Sequence, residues 1–277
     1  AGLGDEALMH QAAHTTLFVE VDPNQKERII RALQKMGHVV GYMGDGINDA
    51  PALHDADVGI SVEGAVDVAR EAADFVLLRS GLEILEKGIK EGRITFANSL
   101  KYIFTTTSAN FGNMFSMAGA SLFLPFLPMK PVQILLNNFL YDLSEVAIPF
   151  DRVDAGVLSS PQNWDISLIR SFMLAMGPVS TIFDFLTFYT LYVTFQADEK
   201  TFQTGWFIES ISTQVLVIFL IRSRGSFLSS RPHPLLAALS ISVVGIAWAV
   251  ALSAIGHFFG FTSVSPAALG AVVILTG

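Results

Sequence analysis

The fold is decided by the ten residues 44-GDGINDAPAL-53. They follow an apolar run at 39–43, which predicts a buried strand. Glycines flank Asp45 on both sides, so the backbone can turn sharply there and approach a ligand closely. The carboxylates of Asp45 and Asp49, with the amide of Asn48, suit a hard dication such as Mg²⁺ beside a phosphate. The plainer alternative is an Asp-Gly turn followed by a helix cap from Asn48 or Asp49.

Strands and helices alternate along the first 82 residues at a spacing typical of a parallel α/β sheet. Helices are predicted at 5–13, at 65–72 and from Pro23, where Asp22 acts as the cap and Gly37 marks the end. A short helical turn is predicted after the glycine-rich stretch. Strands are predicted at 16–21, 39–43, 58–60 and 75–78. The sequence has neither a dinucleotide-binding motif nor a P-loop motif.

The rest of the chain has the composition of a membrane protein. Mean hydropathy is +0.50 and only 15% of residues are charged. An amphipathic helix is predicted at 82–100. Five membrane spans are predicted at 102–124, 132–150, 168–195, 205–221 and 235–255, and a sixth begins near Ala267. Lysines and arginines concentrate in the loops on one side, among them Arg222, Arg224 and Arg231, so the N-terminal domain is predicted to be cytoplasmic.

Two of the predicted spans carry polar residues on one helix face. Asn110 and Asn113 share a face of the first span, and Asn138, Asp142 and Glu145 share a face of the second. An ionised carboxylate at the bilayer centre costs about 3 kcal/mol, and neither span contains a lysine or arginine. A transported cation would neutralise it. Interhelical hydrogen bonds of about 0.6 kcal/mol explain the asparagines as well, but they leave Asp142 without a counter-charge.

Two further acids, Asp184 and Glu209, lie in the third and fourth predicted spans. A position on a polar seam or at the membrane interface explains them at least as well as a transport role. The sequence therefore leaves both outside the predicted site.

Composition also excludes some classes of function. The formal net charge is -8 and the chain has no cluster rich in lysine and arginine, which argues against nucleic acid as a partner. The chain contains no cysteine, so disulfides and thiolate metal sites are excluded.

The stretch at 44–53 resembles the hinge motif of P-type cation-transporting ATPases, whose phosphorylation domain has the haloacid dehalogenase fold. Asn110-x-x-Asn113 and Asn138-x-x-x-Asp142 resemble the ion-binding motifs of the fifth and sixth helices of these pumps. Asn113 stands where two-ion calcium pumps carry Glu, which suggests fewer transported dications. The runs at 110–116, 123–128, 141–151, 177–184 and 203–208 are most similar to the bacterial magnesium-transporting group. Glu145 departs from that group, in which Gln is the commoner residue.

This resemblance implies a role for each predicted site residue. Asp45 and Asp49 would hold the catalytic Mg²⁺ with Asn48 beside it, and Lys26 would contact the phosphoryl group, where a cation offsets charge. The transported cation, Mg²⁺ foremost, would bind to Asn113, Asn138 and Asp142. Residues 1–82 would form the C-terminal part of the phosphorylation domain, 83–101 the stalk helix, and 102–277 the membrane domain with spans five to ten.

The resemblance also implies that other parts of the pump belong with this chain. The sequence contains no phosphoryl-accepting Asp in a D-K-T-G-T context, and both ends look cut. We therefore expect the C-terminal portion of an ATP-driven pump that imports magnesium across a bacterial plasma membrane and needs its N-terminal portion as partner. Three alternatives stay open: a pump for Ca²⁺ or another cation, a non-catalytic product of a split or truncated gene, and a membrane-tethered phosphatase.

Overall fold

The computed structural model describes residues 4–79, 81–223 and 231–276. The chain divides into two compact units, Ala1–Ile89 and Lys90–Gly277. The predicted loop residue Arg224 lies outside the described residues.

The N-terminal unit contains a parallel sheet with strands in the order β1-β2-β3. Gly41 pairs with Val58, and Ile60 pairs with Phe75. The predicted parallel α/β arrangement is confirmed at this level. The elements are α1 (Asp5–Ala12), α2 (Pro23–Lys35), β1 (Gly41–Met43), a 3-10 turn (Ile47–Asp49), α3 (Ala50–Asp55), β2 (Val58–Val62), α4 (Asp67–Glu71) and β3 (Phe75–Leu77).

Helix α2 begins and ends where the sequence predicts. The Asp22 side chain accepts a hydrogen bond from the Gln25 backbone N–H over 2.8 Å, and Pro23 occupies the first helical turn. Gly37, with φ +86°, follows the last turn in the left-handed conformation. The predicted strand at 16–21 is wrong, because this segment forms no strand. Glu20 has φ 54°, which is incompatible with an extended chain.

The C-terminal unit is helical and is built around one buried helix. Helix α9 packs against α6, α8, α10 and α11, and its residues Trp206, Phe207, Ile208 and Ile211 are almost fully buried. The helices are α5 (Leu82–Ala120, which begins in the N-terminal unit), α6 (Pro131–Glu145), α7 (Ala155–Leu158), α8 (Ile166–Tyr189), α9 (Glu199–Ile221), α10 (Pro234–Leu252) and α11 (Pro266–Thr276).

Three helical segments of the described chain are long and apolar enough to cross a membrane: Ile166–Thr194, Glu199–Ile221 and Pro234–Leu252. They correspond to the third, fourth and fifth predicted spans. Helix α6 has 15 residues, fewer than the roughly 20 that a span needs. Helix α5 has 39 residues and joins the predicted amphipathic helix to the first predicted span without a break.

A buried carboxylate, Asp151, ties together the loop after α6, α5 and the end of α9. Its oxygens accept hydrogen bonds from Lys101 Nζ over 2.9 Å, Arg222 Nε over 3.0 Å and the His233 backbone N–H over 3.1 Å. Burial opposes ionisation of Asp151, but these three donors outweigh it and lower its pKa. The Asn98 side chain donates to the backbone carbonyls of Pro149 and Asp151, which anchors the same loop.

Candidate functional site

Asp49 is the centre of a polar cluster at the carboxyl end of β1. Its Oδ1 accepts hydrogen bonds from Lys26 Nζ and from the Tyr42 hydroxyl, both over 2.7 Å. Its Oδ2 faces the backbone N–H groups of Asp45 over 3.3 Å and Gly46 over 3.2 Å. The structure therefore brings Lys26 of α2 into contact with the predicted loop. The distance between the two segments along the sequence does not by itself predict this contact.

Gly44 makes this arrangement possible. A Cβ at this position would lie 2.5 Å from the Cβ of Asp49, closer than side chains pack. The Gly44 carbonyl accepts a hydrogen bond from Ser61 Oγ of β2 over 3.0 Å, which fixes the loop to the sheet. A glycine is therefore needed so that the turn can fold back onto the buried carboxylate.

The electrostatics of the cluster favour a fixed ion pair. Burial opposes ionisation of Asp49, but hydrogen bonds from Lys26, Tyr42 and the Gly46 backbone lower its pKa. The hydrogen bond to Asp49 raises the pKa of Lys26. Burial raises the pKa of Tyr42, and its bond to Asp49 adds to this. At neutral pH the cluster thus has an anionic Asp49, a cationic Lys26 and a neutral Tyr42.

The other two predicted ligands lie at the rim. The side chains of Asp45 and Asn48 are exposed, so they can reach a molecule in solution. The side chain of Asp49 is meanwhile fixed by its hydrogen bonds to Lys26 and Tyr42. These side chains offer carboxylate and amide oxygens, the ligands that Mg²⁺ prefers. Across the described residues no three His, Cys, Asp or Glu side chains form a group that could hold a metal. The residues fit Mg²⁺ if water or phosphate oxygens complete its shell.

Sequence reasoning missed Tyr42, although it lies in the predicted strand. Its hydroxyl reaches Asp49 because alternate strand residues point to one face of the sheet. An aromatic residue two positions before the glycine-rich turn was the available signal.

The three residues of the predicted membrane site lie on two helices, α5 and α6. Asn113 on α5 and Asn138 on α6 are half-buried. Asp142 is exposed whereas Glu145 is buried, so the helix face that they were predicted to share is covered only in part. The reason is the direction in which α6 faces: Tyr141 and Ser144 turn toward the packed side, where α9 and α10 lie.

Asn113 belongs to a hydrogen-bond network that the sequence did not reveal. Ser210 Oγ of α9 donates to Asn113 Oδ1 over 3.4 Å, and Gln214 Nε2 donates to Ser210 Oγ over 2.7 Å. Asn137 Nδ2 of α6 donates to Gln214 Oε1 over 3.4 Å. Three helices thus share one polar path. Asn137, adjacent to the predicted Asn138, makes the observed contact to α9.

Glu145 lies near Asp142 and is held by two hydroxyl groups. Thr105 and Thr106 of α5 donate to its two carboxylate oxygens over 2.6 Å and 2.7 Å. Asp142 and Glu145 both line a cleft of about 610 Å³ between α5 and α6. No ion pair with a lysine or arginine reaches either acid within the described part of the chain. The cleft therefore presents two carboxyl groups without a fixed cation.

Comparisons with known proteins identify the family of this chain. Residues 126–277 match the family described as cation transporting ATPase, C-terminus. The chain is 53% identical over 252 residues to the magnesium-transporting ATPase, P-type 1 of Salmonella typhimurium, covering 88% of this chain and 28% of that protein. It is 54% identical over 226 residues to the protein of that name from Escherichia coli, covering 80% and 25%. It is 31% identical over 244 residues to a calcium-transporting ATPase of Bacillus subtilis, covering 83% and 27%.

The chain spans little more than a quarter of the length of the magnesium-transporting relatives that it matches. The family match covers more than half of the chain, including α6 and all later helices. By this match the chain belongs to the cation-transporting ATPase family, as a C-terminal portion of a P-type ATPase.

Proposed function

We propose that this chain is the C-terminal part of a P-type pump that imports Mg²⁺ across a bacterial plasma membrane. The observation that carries the proposal is the 53% identity, over 88% of the chain, to a magnesium-transporting ATPase. The more distant calcium-transporting relative, at 31% identity, supports Mg²⁺ over Ca²⁺ as the cargo.

The N-terminal unit would be the back half of a cytoplasmic phosphorylation domain of the haloacid dehalogenase type. Asp49 would keep Lys26 at the mouth of the site, where its ammonium group faces a phosphoryl group and offsets negative charge. Asp45 and Asp49 would offer oxygen ligands to a catalytic Mg²⁺ with Asn48 beside it, and this ion supplies charge neutralisation when bound. ATP and the phosphoryl-accepting Asp would belong to the rest of the longer protein.

The C-terminal unit would bind the transported ion between α5 and α6. Asn113, Asn138 and Asp142 would supply oxygen ligands, and the exposed face of Asp142 would meet helices contributed by the rest of the pump. Mg²⁺ keeps several waters when it binds, so a site of two amides and one carboxylate suits it. Helix α5 would transmit movement between the phosphorylation domain and this site.

A chimeric pump tests this proposal. This chain replaces the aligned 252-residue region of the Salmonella relative, and growth of a strain without magnesium transporters is measured at limiting Mg²⁺. We expect the chimera to restore growth. Asp142→Asn and Asn113→Ala are expected to raise the Mg²⁺ concentration for half-maximal ATPase activity at least about tenfold, because each removes a ligand.

Asp198→Asn is the matched control, since it removes an exposed carboxylate at the start of α9. It should leave the Mg²⁺ dependence unchanged. A chimera that rescues growth on low Ca²⁺ or Mn²⁺ but not on low Mg²⁺ would overturn the choice of ion. Equal Mg²⁺ dependence in Asp142→Asn and Asp198→Asn would overturn the choice of site.

A further inference from the structure

Asp184 and Glu209 lie against each other inside the C-terminal unit. Asp184 belongs to α8 and Glu209 to α9, and they are only 3% and 0% exposed. Trp206, one helical turn before Glu209, donates its indole N–H to Asp184 Oδ1 over 2.8 Å. Residues three apart share a helix face, so Asp184 packs on the face of α9 that carries Glu209. The two carboxyl groups act on each other electrostatically.

The groups around this pair are neutral. Ser116 of α5 donates to Asp184 Oδ2 over 2.6 Å, and Thr213 donates to Glu209 Oε1 over 2.7 Å. Over residues 4–79, 81–223 and 231–276, no lysine, arginine or histidine forms an ion pair with either acid. Two carboxylates in contact inside a low-dielectric bundle do not both stay ionised without a cation.

The hydrogen bonds differ between the two acids. Both Asp184 oxygens accept from neighbouring donors, and one of these, the Trp206 indole, can only donate. Glu209 Oε2 is buried and has no hydrogen-bond partner among the described residues. A proton on this oxygen would satisfy the one carboxylate oxygen of the pair that has no partner among the described residues.

We propose that Asp184 and Glu209 form a proton-binding site that holds one proton, carried on Glu209 Oε2 and donated toward the Asp184 carboxylate. The pair then carries a single negative charge, which Ser116 and Trp206 stabilise at Asp184. A metal ion suits the position less well, because both Asp184 oxygens already serve neutral donors. The described residues also offer no third acid, His or Cys for a shared metal.

This site lies next to the polar path through Asn113. Ser116 is one helical turn beyond Asn113 on α5, and Glu209 directly precedes Ser210, which donates to Asn113. The proton site is made entirely of side chains described above, so it does not depend on the proposed magnesium transport. A movement of α5 would nevertheless reach the pair through Ser116, and a movement of α9 would reach it through Glu209 itself.

Infrared spectroscopy of the 277-residue chain in lipid nanodiscs tests the proposal. At neutral pH we expect a protonated carboxyl C=O band, shifted in D₂O, that E209Q removes with an intensity of one carboxyl group per chain. D184N should keep the band but move it to higher frequency, because the carboxylate acceptor is lost. E199Q, an exposed Glu on the same helix, is the matched control and should leave the band unchanged.

Three results would overturn the proposal. One is a wild-type spectrum without a protonated carboxyl band, and another is an E209Q spectrum identical to that of E199Q. The third is loss of the band on adding Mg²⁺ to both wild type and E199Q, which would make the pair a metal site. Circular dichroism checks that each variant is folded. If E209Q does not fold, the frequency shift in D184N decides the matter alone.

Discussion

Asp49 in the N-terminal unit and Glu209 in the C-terminal unit are both buried acids, but they have different neighbours. Asp49 is paired with Lys26 and receives two backbone N–H groups. Glu209 faces a second carboxyl group and a threonine hydroxyl. Asp151, at the end of the membrane helices, resembles Asp49, because Arg222 and Lys101 neutralise it.

This difference separates fixed charges from exchangeable ones. An acid with a permanent basic partner holds elements together, and its counter-charge cannot leave without unfolding the site. An acid without such a partner must be neutralised by something that comes from solution, a proton or a metal ion. On this view Asp49 and Asp151 are structural anchors, whereas Asp142 belongs to the site that we propose for a cation and Asp184 and Glu209 to the one that we propose for a proton.

Among the acids with a permanent basic partner, we expect the largest effect from Asp151→Asn. The substitution removes the carboxylate that pairs with Arg222 and Lys101, and breaking a buried ion pair costs about 3–5 kcal/mol. The loss is measured by reversible unfolding of the chain in mixed detergent micelles. Asp198→Asn, at an exposed helix start, is the control and should change stability by less than about 0.5 kcal/mol. If both variants are equally stable, Asp151 is not an anchor and the comparison fails.

How much of this arrangement the sequence predicts depends on how local each contact is. Asp22 and Pro23 indicate the start of α2 because a cap acts within three residues. The glycine-rich stretch indicates that Asp49 is a site residue. Its contact with Tyr42 cannot be predicted from that stretch alone, because it also depends on which face of β1 Tyr42 occupies.

The membrane helices show more clearly what cannot be predicted from the sequence. Helical spacing shows that Asn138 and Asp142 share a face, but it does not show which face the neighbouring helices cover. That choice depends on how α9 and α10 pack against α6, so the spacing does not show that Asp142 is exposed. For the same reason the contact of Asn113 with Ser210, 97 residues away, has no signal in the spacing of either span.

A second test asks whether the loop backbone, and not only the ion pair, holds Asp49. In Gly44→Ala the new methyl group would lie 2.5 Å from the Asp49 Cβ, which is bonded directly to Cα and cannot rotate away. We expect a loss of about 1–3 kcal/mol, typical of overpacking, measured as faster hydrogen exchange across residues 41–55. Gly41→Ala is the control on the same strand, where the nearest atom is 3.9 Å away. Equal exchange in the two variants would show that the close approach is unimportant.

A third test uses acid to neutralise Asp49 in place. Its pKa is lowered in the folded chain, so its contribution to stability is present above the unfolded value of about 3.9 and is lost as pH falls through the folded value. Protection of residues 41–55 from hydrogen exchange, corrected for the intrinsic rate, should therefore decrease below about pH 4. The effect should be smaller than that of Gly44→Ala, because Lys26 is partly exposed and solvent screens the pair.

Asp49→Asn should show lower protection at neutral pH and a weaker dependence on acid. Asp45→Asn, which removes an exposed carboxyl of the same loop, should keep the wild-type acid dependence. An unchanged acid dependence in Asp49→Asn would assign the loss of protection to another carboxyl group.

We expect the smallest effects for acids whose side chains accept hydrogen bonds from backbone N–H groups alone. The loss of stability on replacing such an acid should be similar in the two units. Asp22 caps α2 through the Gln25 N–H, and Asp165 caps α8 through the N–H groups of Ser167 over 2.8 Å and Leu168 over 3.2 Å. Replacing either by Ala should cost about 1 kcal/mol in chemical unfolding, and replacement by Ser should restore most of it, because the cap needs an oxygen acceptor and not a charge. If Asp165→Ser were as unstable as Asp165→Ala, the negative charge of Asp165 at the N-terminus of α8 would matter more than its oxygen acceptor, and this acid would no longer be a simple cap.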